Sequence, residues 1–193
     1  MTIDAVVKVG GGLLVRPEAL DEVLAAIVAA ARGRRLVVIP GGGPFADAVR
    51  AAEARFDLPD TTAHWMAILA MDQYAHLLAS RRPELALVRT MEEAAHVLDT
   101  GRVPVLAPAE WLRAADPLPH SWDVTSDSLA AWLTGALGAR QLVLLKPDGV
   151  HGGAGAVDAH FSHALAAGIA HVVLGADRAR SLASALNEMG GER

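Results

Sequence analysis

Short apolar runs alternate along this chain with longer stretches in which apolar residues recur every three or four positions. The runs "AVVKV", "RLVVIP", "PVLAP", "QLVLL" and "HVVLG" are aliphatic and nearly free of polar positions, as strands buried on both faces are. The stretches between them carry a helical period. "PEALDEVLAAIVAAAR" sets Leu20, Val23, Leu24, Ile27 and Val28 on one stripe behind Pro17, a residue suited to a first helical turn. "PFADAVRAAEARF", "TTAHWMAILAMDQYAHLLASR", "TMEEAAHVLDTG", "TSDSLAAWLTGALG", "DAHFSHALAAG" and "DRARSLASALNEMG" repeat the pattern, and several close on glycine as helices often do. This alternation predicts an α/β fold with a mainly parallel sheet covered by helices on both faces. Ligands of such sheets bind beyond the carboxyl ends of the strands. Only the segment around "ADPLPHSWD" reads as long and irregular. No linker, repeat or low-complexity tract interrupts the 193 residues, so one domain over 1–193 is expected.

Composition narrows the function. A net charge of −5 weighs against a nucleic-acid or anionic-membrane surface. The absence of cysteine removes disulfides, thiolate metal sites and a thiol nucleophile. The first run reads as a strand rather than a signal peptide, and no apolar stretch reaches membrane-spanning length, so a cytoplasmic protein is expected. The eight histidines show no metal-ligand spacing: His160 and His163 stand three apart without an evident third ligand, and no metal site is expected. The four tryptophans, Trp65, Trp111, Trp122 and Trp132, are dispersed and read as core or subunit contacts.

Polar clusters fall at the ends of the predicted strands. Lys8 precedes Gly10, Gly11 and Gly12; Gly41, Gly42 and Gly43 lead into a helix at Pro44; "HSWDVTSDSLAAWL" enters a helix capped by Thr125 or Ser126. Glycine lets backbone amides approach a ligand, and a helix start carries partial positive charge, so two such loops together suit a polyphosphate. Neither loop has the spacing of the stricter phosphate-binding patterns. Lysine occurs only at Lys8 and Lys146, against 17 lysines and arginines together, and both lysines stand at strand ends. A compact ammonium differs from a guanidinium where one phosphoryl oxygen must be met. Asp127, in a first helical turn, is the natural anionic partner, although capping alone would also place a carboxylate there. Asp123 and Asp148 lie in loops near element ends, where solvated turn residues are also common.

The strings "VVKVGGGLL", "VVIPGGGPFADAVR", "TSDSLAAWL" and "LVLLKPDGV", in this order, resemble the amino acid kinase family. Within it, "AHWMAILAMDQYAHLLA" and "HSWDVTSDSLA" are similar to the branch that phosphorylates aminomethylfuran-methanol phosphate in methanofuran and methylofuran biosynthesis. The resemblance implies a three-layer αβα sandwich and phosphoryl transfer from ATP, with Mg2+, to a small-molecule acceptor. It implies that Lys8 neutralises the phosphoryl group in flight, that Asp127 orients lysines, and that Lys146 acts on the nucleotide side. Gly10 to Gly12, Asp148 and Gly149 would hold nucleotide phosphates. Gly41 to Gly43, His64, His120, Asp123 and Thr125 would line the acceptor side, with Asp72 a further mark of the branch. A homo-oligomer is also implied, with the apolar "HWMAILAMDQY" helix as a candidate interface.

The chain departs from the family by having no lysine beyond position 146, where many members place a second catalytic one. Lys146 or an arginine such as Arg178 must then supply that charge. An acceptor other than a phosphate monoester, and a non-catalytic nucleotide-binding protein of the same fold, remain the alternatives.

Overall fold

The computed structural model describes residues 2–150, 152–153 and 155–191. Six strands among them form one all-parallel sheet: β1 Ala5–Val9, β2 Leu36–Pro40, β3 Leu85–Val88, β4 Val103–Leu106, β5 Gln141–Lys146 and β6 Ala170–Gly175. Their order is β3-β4-β2-β1-β5-β6, so β1 lies between β2 and β5. The helices are α1 Pro17–Ala30, α2 Gly43–Phe56, α3 Asp60–Ser80, α4 Met91–Asp99, α5 Ala109–Ala115, α6 Ser126–Ala136, α7 Phe161–Ala164 and α8 Leu182–Gly191. Short 3₁₀ turns occupy Gly11–Val15 and Ala176–Ser181. Helices cover both faces of the sheet, completing a three-layer αβα sandwich.

Side-chain parity decides which way each strand residue points. Ala5, Val7 and Val9 of β1 join the core beneath α1 and α8, while Val6 joins the opposite core beneath α6. Lys8 shares the parity of Val6 and therefore faces α6. In β5, Val143 and Leu145 face α1, and Leu142 and Leu144 face α6. Lys146 has the parity of Leu144, which pairs in register with Lys8 on the neighbouring strand. Two lysines separated widely in sequence thus stand on the same face, one pleat apart.

The sequence pattern omitted two elements and overextended others. β3, "LALV", is a four-residue run between a long helix and a turn. α5, "AEWLRAA", is seven residues opening after Pro108. Both are too short for periodicity to separate helix from strand. Residues 116–124 are irregular as expected, but so are the described residues from 147 to 160, and the helix expected over "DAHFSHALAAG" shrinks to Phe161–Ala164. The end of the chain divides into the 3₁₀ turn and α8. The apolar residues of α3 enter both cores, with Ile68, Met71, Tyr74 and Leu78 buried. Leu69 is the one large apolar residue of α3 left exposed, so core packing explains its composition.

Candidate active site

The parallel strands β1 and β5 deliver both lysines to the start of α6. Lys8, only 3% exposed, donates to Asp127 Oδ1 at 2.6 Å. Lys146 donates to Asp127 Oδ2. One buried carboxylate therefore bridges two ammonium groups on adjacent strands. Burial pushes the Lys8 pKa below its usual value, Lys146 adds to this, and Asp127 opposes it. Burial alone would raise the Asp127 pKa, but the two ammonium groups outweigh it and hold the carboxyl below its usual range. With both lysines protonated, the trio carries one net positive charge away from bulk water. An anion entering beside it would be held strongly.

α6 fixes where Asp127 stands. Thr125 is the N-cap, its hydroxyl accepting from the Asp127 amide at 3.3 Å. Ser126 is the first helical residue and lines the cleft. Behind them lies Asp158, from the irregular segment after β5. Its carboxylate accepts from the amides of Thr125 and Ser128 at 3.0 and 3.1 Å, from both of their hydroxyls, and from the His160 amide at 3.1 Å. Sequence reasoning missed Asp158, because nothing in "AVDAHF" signals a partner thirty residues upstream.

The two glycine loops meet directly. A Cβ on Gly11 would stand 2.5 Å from Gly43 Cα, and one on Gly41 would stand 2.6 Å from the Gly11 nitrogen. Gly43 also has φ +55°, a left-handed conformation that glycine adopts without strain. Gly10 and Gly41 prolong the sheet: their amides donate to Leu145 O at 2.7 Å and Val9 O at 2.8 Å. Gly11, Gly12, Gly42 and Gly43 face a cleft of about 300 Å³ that also contains Lys8, Lys146 and Asp127.

The remaining candidates divide. His64 and Thr125 line the cleft. Burial, aided by repulsion from His120, lowers the His64 pKa to about 4 despite the attraction of Asp116. His120 stacks on His64 with ring centroids 4.1 Å apart, one layer behind the lining. Asp123 is exposed and outside the cleft lining, its amide donating to Ser121 Oγ at 3.0 Å. Asp148 pairs with Arg16, and Gly149 turns the chain at φ +78°; neither lines the cleft. Asp72 acts as a brace, accepting from the Ala109 amide at 3.0 Å. Arg178 lies in a separate cavity with His171 and Glu188, so Lys146, not Arg178, supplies the second charge at Asp127.

Other lining residues had no signal in the sequence. Arg50 and Glu53 come from α2, and Trp122 comes from the irregular segment. The Arg50 guanidinium sits 4.2 Å over the Trp122 ring, and the indole N–H donates to Glu53 Oε2 at 2.5 Å. Trp122 is therefore part of the cleft wall, contrary to the reading of all tryptophans as core or subunit contacts.

Comparison with known proteins agrees with this geometry. The model of the amino acid kinase family matches residues 5–158, from β1 through Asp158. The chain belongs to the amino acid kinase family. A relative within reach of sequence comparison is the [5-(aminomethyl)furan-3-yl]methyl phosphate kinase of Methanocaldococcus jannaschii. It is 28% identical over 150 residues, covering 76% of this chain and 67% of that protein. Among solved structures, UMP kinase from Ureaplasma parvum aligns with a TM-score of 0.68 at 12% identity, covering 97% of this chain and 96% of its own. Uridylate kinase from Archaeoglobus fulgidus aligns with a TM-score of 0.58 at 23% identity, over 78% of this chain and 67% of its own. As an amino acid kinase family phosphotransferase, this chain presents its glycine loops and Lys8 at the sheet's carboxyl edge, where a doubly wound fold binds ligands.

Proposed function

We propose that this protein is an ATP-dependent kinase whose acceptor is a small phosphate monoester carrying an amine, of the [5-(aminomethyl)furan-3-yl]methyl phosphate type, and whose product is a diphosphate. The observation that carries the reading is the buried Lys8–Asp127–Lys146 bridge facing two touching glycine loops. An acceptor phosphate oxygen attacks the γ-phosphorus of ATP, the bond from that phosphorus to the β,γ-bridging oxygen breaks, and ADP leaves. A phosphate monoester is largely dianionic at neutral pH, since its second pKa is about 6. The attacking oxygen then has no proton to lose, and the site needs no general base. What it must supply is positioning and positive charge, and that is what the lysines and loop amides offer.

The cleft wall fits the other end of such an acceptor. Glu53 stands about 15 Å along α2 from Gly43, at 1.5 Å per residue, and contributes a carboxylate to the lining. Phosphate near the lysines and ammonium toward Glu53 and Asp60 would match the charges of the cleft, with the Arg50 guanidinium held over the Trp122 ring. Mg2+ fits as part of the bound nucleotide. Among the described lining carboxylates, Asp127 is engaged by both lysines, Asp47 by Arg50 and Glu53 by Trp122, so ATP phosphates and water would hold the ion, with Asp60 at the start of α3 the lining carboxylate left to contact it.

A coupled assay of ADP formation with [5-(aminomethyl)furan-3-yl]methyl phosphate tests the reading. Turnover should exceed that with UMP, aspartate or acetylglutamate, and Lys8→Ala should lower kcat by roughly 10²–10³-fold, as removal of a transition-state charge does. Equal turnover in that variant would remove Lys8 from the chemistry. Preference for a carboxylate acceptor would replace the substrate class.

A further inference from the structure

Beside the cleft, three potential metal ligands come from three different places in the chain. His64 belongs to α3, Asp116 closes α5 as its C-cap, and His120 lies in the irregular segment that follows. Their ligand atoms all lie within 4.8 Å of one another. The geometry points to a binding site for one divalent transition-metal ion, of the zinc type, held by His64, Asp116 and His120. This site is separate from Lys8, Asp127 and Lys146.

The donor set argues for the ion. Two imidazoles and one carboxylate suit Zn2+, whereas Mg2+ and Ca2+ take oxygen ligands. Tetrahedral bonds of 2.0–2.1 Å place ligand atoms about 3.3–3.4 Å apart. The His64 and His120 rings are stacked at 4.1 Å, so binding requires the imidazoles to turn until their nitrogen lone pairs converge, while Asp116, with 53% of its side chain exposed, swings in to the same point.

An outer shell is already in place. His120 Nδ1 lies 3.1 Å from Thr61 Oγ1, and Nε2 lies 2.8 Å from Asp116 Oδ1. A ring that donates from Nε2 to Asp116 can accept at Nδ1 from the Thr61 hydroxyl. With an ion on Nε2, the ring proton resides on Nδ1 and is donated to Thr61, whose hydroxyl now accepts. A hydroxyl serves either tautomer, and such a hydrogen bond on the far ring nitrogen is the usual companion of a metal-bound histidine. Trp65 packs edge-on against both imidazoles, at 5.2 and 5.5 Å, and shields one side from solvent.

The ion would join α3 to the segment that carries Ser121 and Trp122, both cleft-lining residues. Its fourth coordination position stays open to water. Metal occupancy would thus set the shape of the wall facing the acceptor.

Full-length protein stripped with EDTA and titrated with Zn2+ by calorimetry should bind one ion per chain. Co2+ should give the intense visible bands of tetrahedral coordination. His120→Ala and Asp116→Asn should each weaken Zn2+ binding by at least about 100-fold, and Thr61→Val by about 10–100-fold, as outer-shell losses do. Circular dichroism would establish that each variant is folded, and Thr61→Val keeps all three ligands should a ligand variant fail to fold. His160→Ala should leave binding unchanged. Absence of stoichiometric binding in the wild type would overturn the site, as would equal affinity in the folded ligand variants or loss of binding in His160→Ala.

Discussion

Asp127 owes its position to a residue that touches neither lysine. Asp158 gathers amide and hydroxyl donors from Thr125 and Ser128, one on each side of Asp127 in the chain, and so pins the first turn of α6 against the strand ends. Asp158→Asn would replace an acceptor oxygen with a donor facing those donors. The variant should lose about 2–3 kcal/mol of stability, the value of hydrogen bonds to a charged group, measurable by urea denaturation. Its kcat should fall roughly 10–100-fold, as for a catalytic group misplaced by about an ångström, while KM for ATP changes little. A merely structural residue would lower stability without that split. At this scale Lys8, Asp127 and Lys146 were legible, because a lysine-poor chain that keeps its lysines at strand ends shows where charge is required. Asp158, Arg50 and Glu53 were not, because their partners are fixed by the fold and not by spacing.

At the scale of elements, the contact of two loops matters more than either loop's length. Gly11 and Gly43 meet backbone to backbone, so a methyl group on Gly11 forces the β1 and β2 loops apart. Gly11→Ala should destabilise the protein by about 3 kcal/mol, within the range of overpacked sites, and abolish nucleotide binding in the same variant. Gly152→Ala, with nothing within 4 Å of its added methyl group and an ordinary backbone conformation, should behave as wild type in both measurements. The long helices and the five strands read from the pattern were legible because each has a clear period or an unbroken aliphatic run. β3 and α5 have neither, and the described residues between β5 and α7, Gly149, Gly152, Gly153 and Gly155 among them, are irregular.

For the molecule as a whole, His64 links global stability to pH. The unfolded chain protonates this histidine near its ordinary value of 6.5, the folded chain only near pH 4. Between those values the unfolded state binds more protons, so stability falls as pH drops through that window and levels off for this group below it. In EDTA-treated protein, His64→Gln should show a shallower loss of stability from pH 6.5 to 4 than wild type, read from urea midpoints. An equal slope would place His64 in contact with solvent. Strand order belongs to this scale too, and it was hidden from the sequence: alternation predicts a parallel sheet, but nothing in the runs says that β1 lies between β2 and β5.

That central place of β1 bears on how the protein comes to work during folding. β1 can pair with β2 as soon as α1 has formed, a local step between neighbours in the chain. Its other edge waits for β5, which begins at Gln141, and long-range pairings of this kind are closed late because loop entropy must be overcome first. Lys8 is therefore an early resident of a charge cluster that is completed last. Until α6 and β5 have both docked, its ammonium lacks Asp127, Lys146 or both, and a half-folded or still-growing chain carries the glycine loops without the power to transfer a phosphoryl group.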